Sequence, residues 1–388
     1  MDRKSDVVIV GGGVIGLSIA YNLAKEGLGD ILLLERERIG RGASSRNLGG
    51  IREQFSSEAM TRIMRFSLDL WDDLPRELGW NVLLDHKGYL IVARTEQQLQ
   101  QLNRMVEMHK RVGVRSRIVS PSEVHGMVPS LGAPDVLGAS FNKRDATIHH
   151  DAVLWALEEA AKKHGVNMRE AVECRGIRVL SGKTAGVETS AGTITAGRVI
   201  IAAGAFTKGL ASPLGIDLPI KSYSREAMVT EPYKFFMKPV FWDLTTALFL
   251  VQTLRGEVLC DTRDPDRGES QETEATSDFS RSFSRQLSEL FPSLTGLRLL
   301  RSWAGLYDVC IDGSPILGPV NEPENLYFAA GFSGHGMMLS PAVGRLYAEM
   351  IGTGRVPDLL RPFRFSRFAE GEQLFEPLIG GRKLERHA

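Results

Sequence analysis

Three glycines near the N-terminus have the spacing of a phosphate-binding turn. Gly11, Gly13 and Gly16 follow the β-branched run at residues 7–10, and Val14 and Ile15 lie between them. Such a turn between a strand and a helix lets backbone N–H groups approach a pyrophosphate, and the helix N-terminus adds partial positive charge. A second apolar run, residues 31–34, ends in Glu35, whose carboxylate can accept hydrogen bonds from ribose hydroxyls. The pattern predicts a dinucleotide site.

A second apolar run that ends in glycine lies about 180 residues further along the chain. Residues 195–205 read as a strand that ends at Ala203 and Gly204. A strand that returns to the nucleotide fold after a long excursion resembles the second FAD signature of flavoproteins with two dinucleotide folds. The combination favours FAD over NAD as the cofactor.

The last third of the chain has another glycine-rich loop, residues 331–338, which follows an apolar strand at 326–330. Ser340 and Pro341 predict the N-cap and first turn of the next helix. A helix N-terminus at this loop suits the electron-rich end of a flavin, because its partial charge stabilises the reduced anion. His335 is the only titratable residue in the loop, and we expect it to orient the loop, with general-base action as an alternative.

Composition excludes several other classes of protein. The 388 residues suffice for roughly two to three domains. The 47 basic and 47 acidic residues cancel, which argues against a nucleic-acid partner. Three cysteines without CxxC spacing, and no HExxH, predict neither disulfides nor a metal site. No stretch approaches the roughly 20 apolar residues of a membrane helix, so we expect a cytoplasmic protein.

Periodicity along the rest of the chain indicates a mixed α/β (α+β) fold. Apolar spacing predicts helices at residues 56–78, 95–111 and 151–165, and strands at 88–92 and 166–172. The alternating, aromatic stretch at 219–303 is typical of an antiparallel sheet.

Five segments together resemble a family of amino-acid-oxidising flavoenzymes. They are GGGVIGLSIAYNLAKEG, GRGASSRNLGGIREQF, TAGRVIIAAGAF, SWAGLYDVCIDGSPILGP and AAGFSGHGMMLSPAVG. The family includes monomeric sarcosine oxidase, glycine oxidase, sarcosine oxidase β subunits and archaeal L-proline dehydrogenase β subunits. The resemblance implies a discontinuous, Rossmann-like FAD-binding domain at 1–80, 145–218 and 305–388. It also implies an antiparallel-sheet substrate domain at 81–144 and 219–304.

The resemblance also assigns candidate site residues. Arg52 matches the arginine that holds the substrate carboxylate in sarcosine-oxidising relatives, where a guanidinium fixes both charge and orientation. Met338 replaces a lysine of those relatives, which gives weight to a more apolar substrate such as proline. The candidate FAD contacts are Gly11, Gly13, Val14, Ile15, Gly16, Glu35, Arg36, Ser44, Ser45, Arg46, Gly49, Gly50, Val172, Ala203, Gly204, Gly334, Gly336, Met337 and Met338.

Two departures from the family pattern refine the expected chemistry. The cysteine that attaches flavin in certain relatives would fall near Gly305, so we expect non-covalent FAD. The oxidases carry a lysine near the strand at 256–260 that helps dioxygen accept electrons. In this chain no lysine occurs between Lys238 and the end of that strand. The resemblance therefore implies a dehydrogenase that passes electrons to a quinone, a dye or a partner flavoprotein.

The expected reaction is oxidation of a secondary or primary α-amino acid, of the L-proline or sarcosine type, to the imine by hydride transfer to FAD. Alternatives are a direct oxidase and a β-like subunit that passes electrons to an FMN shared with a partner. His150 matches the histidine that holds FMN in sarcosine oxidase β subunits. Both the dehydrogenase and the β-like subunit are compatible with a homo- or hetero-oligomer. The Arg/Phe tail at 361–368 either packs on the FAD domain or contacts the membrane periphery.

Overall fold

The computed structural model describes residues 3–262 and 268–376. The predicted FAD-binding domain therefore has residues 1–2 and 377–388 outside the described part, and the predicted substrate domain has 263–267 outside it. The described chain folds around two eight-stranded sheets and one two-stranded sheet.

The first sheet is built on fully buried strands. Val7, Val8 and Ile9 are completely inaccessible, as expected for a parallel strand covered on both faces. The order is β17-β18-β11-β1-β2-β8, and the β9–β10 hairpin extends from β11. Its strands are β1 (Arg3–Val10), β2 (Ile31–Leu34), β8 (Asn167–Arg169), β9 (Cys174–Leu180), β10 (Lys183–Thr189), β11 (Gly192–Ile201), β17 (Ile316–Pro319) and β18 (Leu326–Ala330).

The second sheet has the order β16-β12-β15-β14-β13-β4-β6-β5. Every pair is antiparallel except β13 with β4. The strand β4 comes from a much earlier part of the chain than its neighbour β13. The strands are β4 (Tyr89–Ala93), β5 (Arg117–Val119), β6 (Gly138–Asn142), β12 (Ile220–Thr230), β13 (Val240–Asp243), β14 (Phe249–Gln252), β15 (Val258–Asp261) and β16 (Leu299–Cys310).

Helices pack on the two large sheets. Apolar residues of α1, α2, α5 and α8 share one core with the first sheet, and α7 packs with the second. The helices are α1 (Val14–Lys25), α2 (Glu58–Leu78), α3 (Glu96–Arg111), α4 (Pro121–Met127), α5 (His150–Lys163), α6 (Thr207–Ala211), α7 (Ser277–Leu290) and α8 (Gly336–Thr353). The mixed α/β fold class is confirmed.

The predicted start of α8 is wrong, because the helix begins at Gly336 rather than after Ser340. Pro341 lies inside it and cannot donate to the carbonyl of Met337. The Ser340 hydroxyl donates to that carbonyl instead, at 2.9 Å. The next carbonyl, of Met338, accepts from the Ser67 hydroxyl at 2.6 Å and from Trp71 Nε1 at 3.0 Å. These side chains satisfy the backbone and let the helix continue.

Two other predictions differ from the structure. The strand predicted at 166–172 is limited to β8, and the alternating stretch at 219–303 also contains α7. Polar serines obscure the apolar positions Phe279, Phe283 and Leu287, which follow the helical period. The domain division remains a prediction, and its boundary at residue 305 falls inside β16.

The small sheet places Arg52 where the two large sheets meet. It consists of β3 (Gly50–Ile51) and β7 (Ala146–Thr147), which pair antiparallel. Arg52 follows β3 directly, and the chain then enters α2. Arg52 is therefore held between the first sheet's helices and the second sheet.

The Arg/Phe tail packs on the protein rather than extending from it. Phe363 and Arg367 are fully buried, so neither side chain is available to a lipid surface. Within the described residues, no helix combines the length and the apolar character needed to cross a membrane.

A buried ion pair fixes this tail. Arg367 Nε and Asp312 Oδ2 are 2.8 Å apart, and the pair's side chains have no solvent exposure. A second guanidinium nitrogen donates to Asp312 Oδ1 at 3.0 Å and to the carbonyl of Ser314 at 2.9 Å. Asp312 Oδ2 also accepts from the N–H of Leu374 at 2.9 Å. One carboxylate thus joins the tail to the chain between β16 and β17.

We expect Asp312→Ala to lower the free energy of unfolding by about 3–5 kcal/mol, because it leaves a buried guanidinium without its partner. Urea denaturation of the cofactor-saturated protein measures the change. Glu370→Gln is the control, because it removes a solvent-exposed ion pair with Arg364 and water screens such pairs. Equal denaturation curves for the two variants would contradict the expectation.

Candidate active site

The N-terminus of α1 forms one end of a large cavity. Gly11 has φ +113°, and a Cβ there would lie 2.4 Å from the carbonyl oxygen of Ala202. A Cβ on Gly16 would lie 1.9 Å from the carbonyl oxygen of Gly11. Both positions therefore require glycine for the strand–turn–helix packing. Gly13 is the N-cap of α1 and has no side chain to occupy the helix end, which leaves this positive end accessible to an anion.

Glu35 is held in place at the end of β2. Its Oε2 accepts a hydrogen bond from the N–H of Gly12 at 2.8 Å, and its Oε1 accepts from the N–H of Glu37 at 2.9 Å. The next residue, Arg36, stacks on Phe206, with 3.6 Å between the guanidinium carbon and the ring centroid. Both residues line the cavity. This end of the cavity offers an oriented carboxylate for a ribose and a flat stacked surface for a base.

The cavity has a volume of about 2270 Å³ and runs from α1 to the second sheet. Most of the candidate cofactor residues line it. Gly16 and Ser45 do not line the cavity, and their role in FAD binding stays a prediction. The lining candidates are Gly11, Gly13, Val14, Ile15, Glu35, Arg36, Ser44, Arg46, Gly49, Gly50, Arg52, Val172, Ala203, Gly204, Gly334, His335, Gly336, Met337 and Met338.

Arg52 is a buried cation with few polar partners. It is 3% exposed, and it forms no ion pair with any described residue. Its Nε lacks a hydrogen-bond partner within the described chain. A guanidinium nitrogen lies 3.3 Å from Nε2 of His335. The arrangement leaves donors of a desolvated cation available to an anionic ligand in the cavity.

His335 is neutral in this arrangement. Its Nδ1 lies 3.2 Å from the carbonyl oxygen of Phe332, an acceptor, which places the ring proton on Nδ1 and leaves Nε2 to accept from Arg52. Burial lowers the pKa of His335 well below its usual value, and the charge of Arg52 lowers it further. The sequence did not indicate this contact. This contact favours a role for His335 in orienting Arg52 over a role as general base.

Aromatic rings surround the guanidinium. Its central carbon lies 4.2 Å from the ring centroid of Phe55, 5.4 Å from Trp242 and 5.8 Å from Tyr89. Tyr89, Trp242, Phe249 and Tyr307 also line the cavity. Sequence reasoning missed these four residues, because they come from separate strands and form no local motif. They make the wall beside Arg52 apolar, and Trp242 and Tyr89 also favour its charge by cation–π contact.

Asp308 supports the glycine-rich loop before α8. Its Oδ2 accepts from the N–H of Gly331 at 2.7 Å, and its carbonyl accepts from the N–H of Ser333 at 3.0 Å. Burial raises the pKa of Asp308 to about 6, and the hydrogen bonds to backbone N–H groups oppose this rise. No sequence pattern indicated a role for Asp308. It fixes the loop that ends at the N-terminus of α8, so a second helix end faces the cavity.

His150 lies apart from this cavity. It is the first residue of α5, and its ring stacks on His149 with 5.3 Å between centroids. Its Nε2 lies 3.7 Å from Asp151 Oδ1. FMN binding at His150 stays a prediction.

The site's residues fit FAD. The glycine-rich turn at α1, the Glu35 carboxylate and the N-terminus of α8 line one cavity, and the two helix starts are adjacent, since a Cβ at Gly336 would lie 3.7 Å from Cγ1 of Ile15. Two positive helix ends beside a carboxylate that can bind a ribose suit a flavin dinucleotide. A Cβ at Gly305 would lie 3.1 Å from Cβ of Arg46. A side chain there would crowd Arg46, and non-covalent binding of FAD stays a prediction.

Comparisons with known proteins agree with this geometry. The family model described as DAO, FAD dependent oxidoreductase, matches residues 6–350. The chain is 30% identical to sarcosine oxidase subunit beta of Rhodobacter capsulatus over 390 residues, covering 98% of this chain and 92% of that protein. It is 28% identical to glycine oxidase of Geobacillus kaustophilus, covering 95% and 98%.

The fold comparison points the same way. The crystal structure of L-proline dehydrogenase from P. horikoshii superposes with a TM-score of 0.90 and 32% identity, covering 96% of this chain and 99% of that one. The resemblance drawn from the five segments is thereby confirmed. The chain belongs to the DAO family of FAD-dependent oxidoreductases.

Proposed function

We propose that this chain oxidises a small secondary or primary α-amino acid, of the L-proline or sarcosine type, to the corresponding imine and acts as a dehydrogenase. The observation that carries the proposal is Arg52, a buried cation without a carboxylate partner among the described residues, on the wall of the cavity that fits FAD. The names of the relatives, which include oxidases of sarcosine and glycine and a dehydrogenase of L-proline, support an amino acid as substrate.

The chain's own residues bind and orient the substrate in this proposal. Arg52 pairs with the carboxylate, and neutral His335 accepts a hydrogen bond that keeps the guanidinium oriented. Trp242 and Tyr89 exclude water from the Cα–H and the amine. FAD, when bound, supplies the hydride acceptor. The substrate would lose hydride from Cα and the proton of its amine nitrogen to water, and water would hydrolyse the resulting imine.

The wall of the cavity favours an apolar amine substituent. Met338 lines the cavity where sarcosine-oxidising relatives are expected to have a lysine, and it is 8% exposed. A methionine offers no second charge to the carboxylate but does pack against a ring or an N-alkyl group. This favours proline or another N-substituted amino acid over glycine.

An anaerobic substrate screen tests the proposal. We expect L-proline or an N-methyl amino acid to bleach the visible absorbance of bound FAD, because hydride transfer reduces the flavin. The panel is sarcosine, L-proline, N-methyl amino acids and D-amino acids, with the corresponding amines without a carboxylate as controls. Bleaching by the amines at the same rate would contradict an Arg52–carboxylate contact.

We expect Arg52→Ala to lower kcat/KM for the best amino acid roughly 100-fold, mainly through KM. Loss of a charged hydrogen-bond partner costs about 3 kcal/mol, which corresponds to that factor. Arg52→Lys should recover part of the loss, because it restores charge without the paired N–H groups. Steady-state kinetics with a dye acceptor provide the measurement, and an unchanged KM in Arg52→Ala would remove Arg52 from the site.

The electron acceptor needs a separate test. Among the described residues, Lys221 is the only lysine that lines the cavity, and it is exposed. We therefore expect turnover with a dye or a quinone to exceed turnover with dioxygen. Oxygen consumption and dye reduction measured on one preparation check this, and equal rates would favour a direct oxidase.

A second candidate function is that of a subunit in a larger complex that passes electrons to FMN shared with a partner. The sequence similarity to sarcosine oxidase subunit beta over 98% of the chain favours it. Mass spectrometry of the intact chain for attached flavin, and activity of the chain expressed alone, separate it from the first candidate.

A further inference from the structure

The loop that carries Arg52 is held by side chains from distant parts of the sequence. It spans residues 52–57, between β3 and α2. Loops of this kind are commonly mobile, yet Arg52, Glu53, Gln54 and Phe55 are buried. The backbone N–H groups of this buried loop need hydrogen-bond acceptors, and the loop itself does not supply all of them. Acceptors from other parts of the chain therefore hold the loop, and with it Arg52, in place.

Asp145 holds the start of the loop. Its Oδ1 accepts from the N–H of Glu53 at 2.9 Å, and its Oδ2 accepts from Nε2 of Gln54 at 2.8 Å. Nδ2 of Asn142 donates to Oδ1 as well, at 2.9 Å. Asp145 is fully buried and forms no ion pair with any described residue. Its carboxyl group is used for the two residues that follow Arg52.

Glu376 holds the end of the loop. Its two carboxylate oxygens accept from the N–H groups of Ser56 and Ser57, at 2.7 and 2.9 Å. Glu376 is 3% exposed, and within the described chain it too lacks an ion-pair partner. It sits at the N-terminus of α2, where negative charge is favourable.

A third contact fixes the middle of the loop. His109 is fully buried, and its Nε2 donates to the carbonyl of Phe55 at 2.8 Å while its Nδ1 lies 2.6 Å from the Ser116 hydroxyl. Burial lowers the pKa of His109 to about 4, so the ring is neutral. The Phe55 ring then packs on Arg52 and, with 5.1 Å between centroids, on His335.

The two carboxyl groups hold the loop without occupying Arg52. Burial raises the pKa of Asp145 to about 8, and the hydrogen bonds from Glu53 and Gln54 and the charge of Arg52 oppose this rise. Burial also raises the pKa of Glu376, and the N–H groups of Ser56 and Ser57 oppose the rise. Neither carboxyl group forms an ion pair with the guanidinium, so its N–H donors remain available.

We propose that Asp145 and Glu376 are positioning residues for substrate binding, which clamp the 52–57 loop and so place Arg52 while leaving its donors for the substrate carboxylate. This inference rests on the proposed function of Arg52. It assigns no contact with substrate to either carboxylate, and their effect passes through Arg52.

Ligand binding without turnover tests the clamp. The probes are cyclopentanecarboxylate and its uncharged isostere cyclopentanecarboxamide, neither of which has an oxidisable amine. The change in flavin absorbance on titration gives both dissociation constants. We expect the preference of the wild type for the carboxylate to fall about tenfold in Asp145→Asn and in Glu376→Gln, since the new amide nitrogen faces an N–H donor, Gln54 Nε2 or a backbone N–H, that the carboxylate had accepted from.

A double-mutant cycle separates the clamp from general destabilisation. In the Arg52→Ala background, neither substitution should change the preference further, because the route of its effect is already gone. Asp6→Asn is the matched control: Asp6 also accepts from a backbone N–H, that of Asp30 at 2.8 Å, but far from Arg52, and it should leave the preference unchanged.

Three results would overturn the inference. The first is that folded, FAD-loaded Asp145→Asn and Glu376→Gln both keep the wild type's preference for the carboxylate over the carboxamide. That result refutes the clamp but leaves the proposed function standing. The second is a further fall in the preference for the carboxylate in the Arg52→Ala background, as large as the fall in the wild-type background. The third is a wild type that binds acid and amide equally, which refutes the role of Arg52 and the clamp with it. If Asp145→Asn does not fold, Glu376→Gln decides alone.

Discussion

Burying a guanidinium without a carboxylate partner costs free energy, and the architecture around Arg52 is arranged to meet that cost without occupying its donors. Phe55, Trp242 and Tyr89 supply cation–π contacts, and His335 supplies a neutral acceptor. A direct carboxylate partner would stabilise the cation more strongly, but it would also compete with an anionic ligand. The donors of Arg52 therefore stay available to an anionic ligand, at a cost in local stability.

The position of Arg52 requires both large sheets. The first sheet ends in the two glycine-rich turns that fit the cofactor, and the second supplies the aromatic wall from β4, β13 and β16. Neither sheet alone contains a complete cavity. The Met338 carbonyl, which accepts from Ser67 and Trp71 of α2, joins α2, which follows the Arg52 loop, to α8, whose N-terminus lines the same cavity. The two helices that follow these loops are therefore directly hydrogen-bonded to each other.

Local chemistry explains what could be predicted from the sequence. Gly11, Gly16 and Glu35 act within one strand–turn–helix–strand unit, so their spacing alone indicates their task. Arg52 was found through a resemblance of whole segments, since a single arginine carries no periodic signal. Tyr89, Trp242, Asp145 and Glu376 reach the site only through long-range packing, and no spacing rule connects them. The start of α8 was predicted too late because proline usually marks the first turn of a helix, where its missing N–H leaves no carbonyl without a donor. Here the carbonyls of Met337 and Met338 accept from Ser340, Ser67 and Trp71, so Pro341 lies inside the helix.

The hydrogen bonds from Ser56 and Ser57 to Glu376 join residues about 320 positions apart. During synthesis on the ribosome, the first glycine-rich turn therefore emerges well before Glu376, the last acceptor for the Arg52 loop. The nascent protein can form that turn long before the position of Arg52 is fixed. Order of emergence alone delays the complete set of loop contacts until residue 376 has left the ribosome.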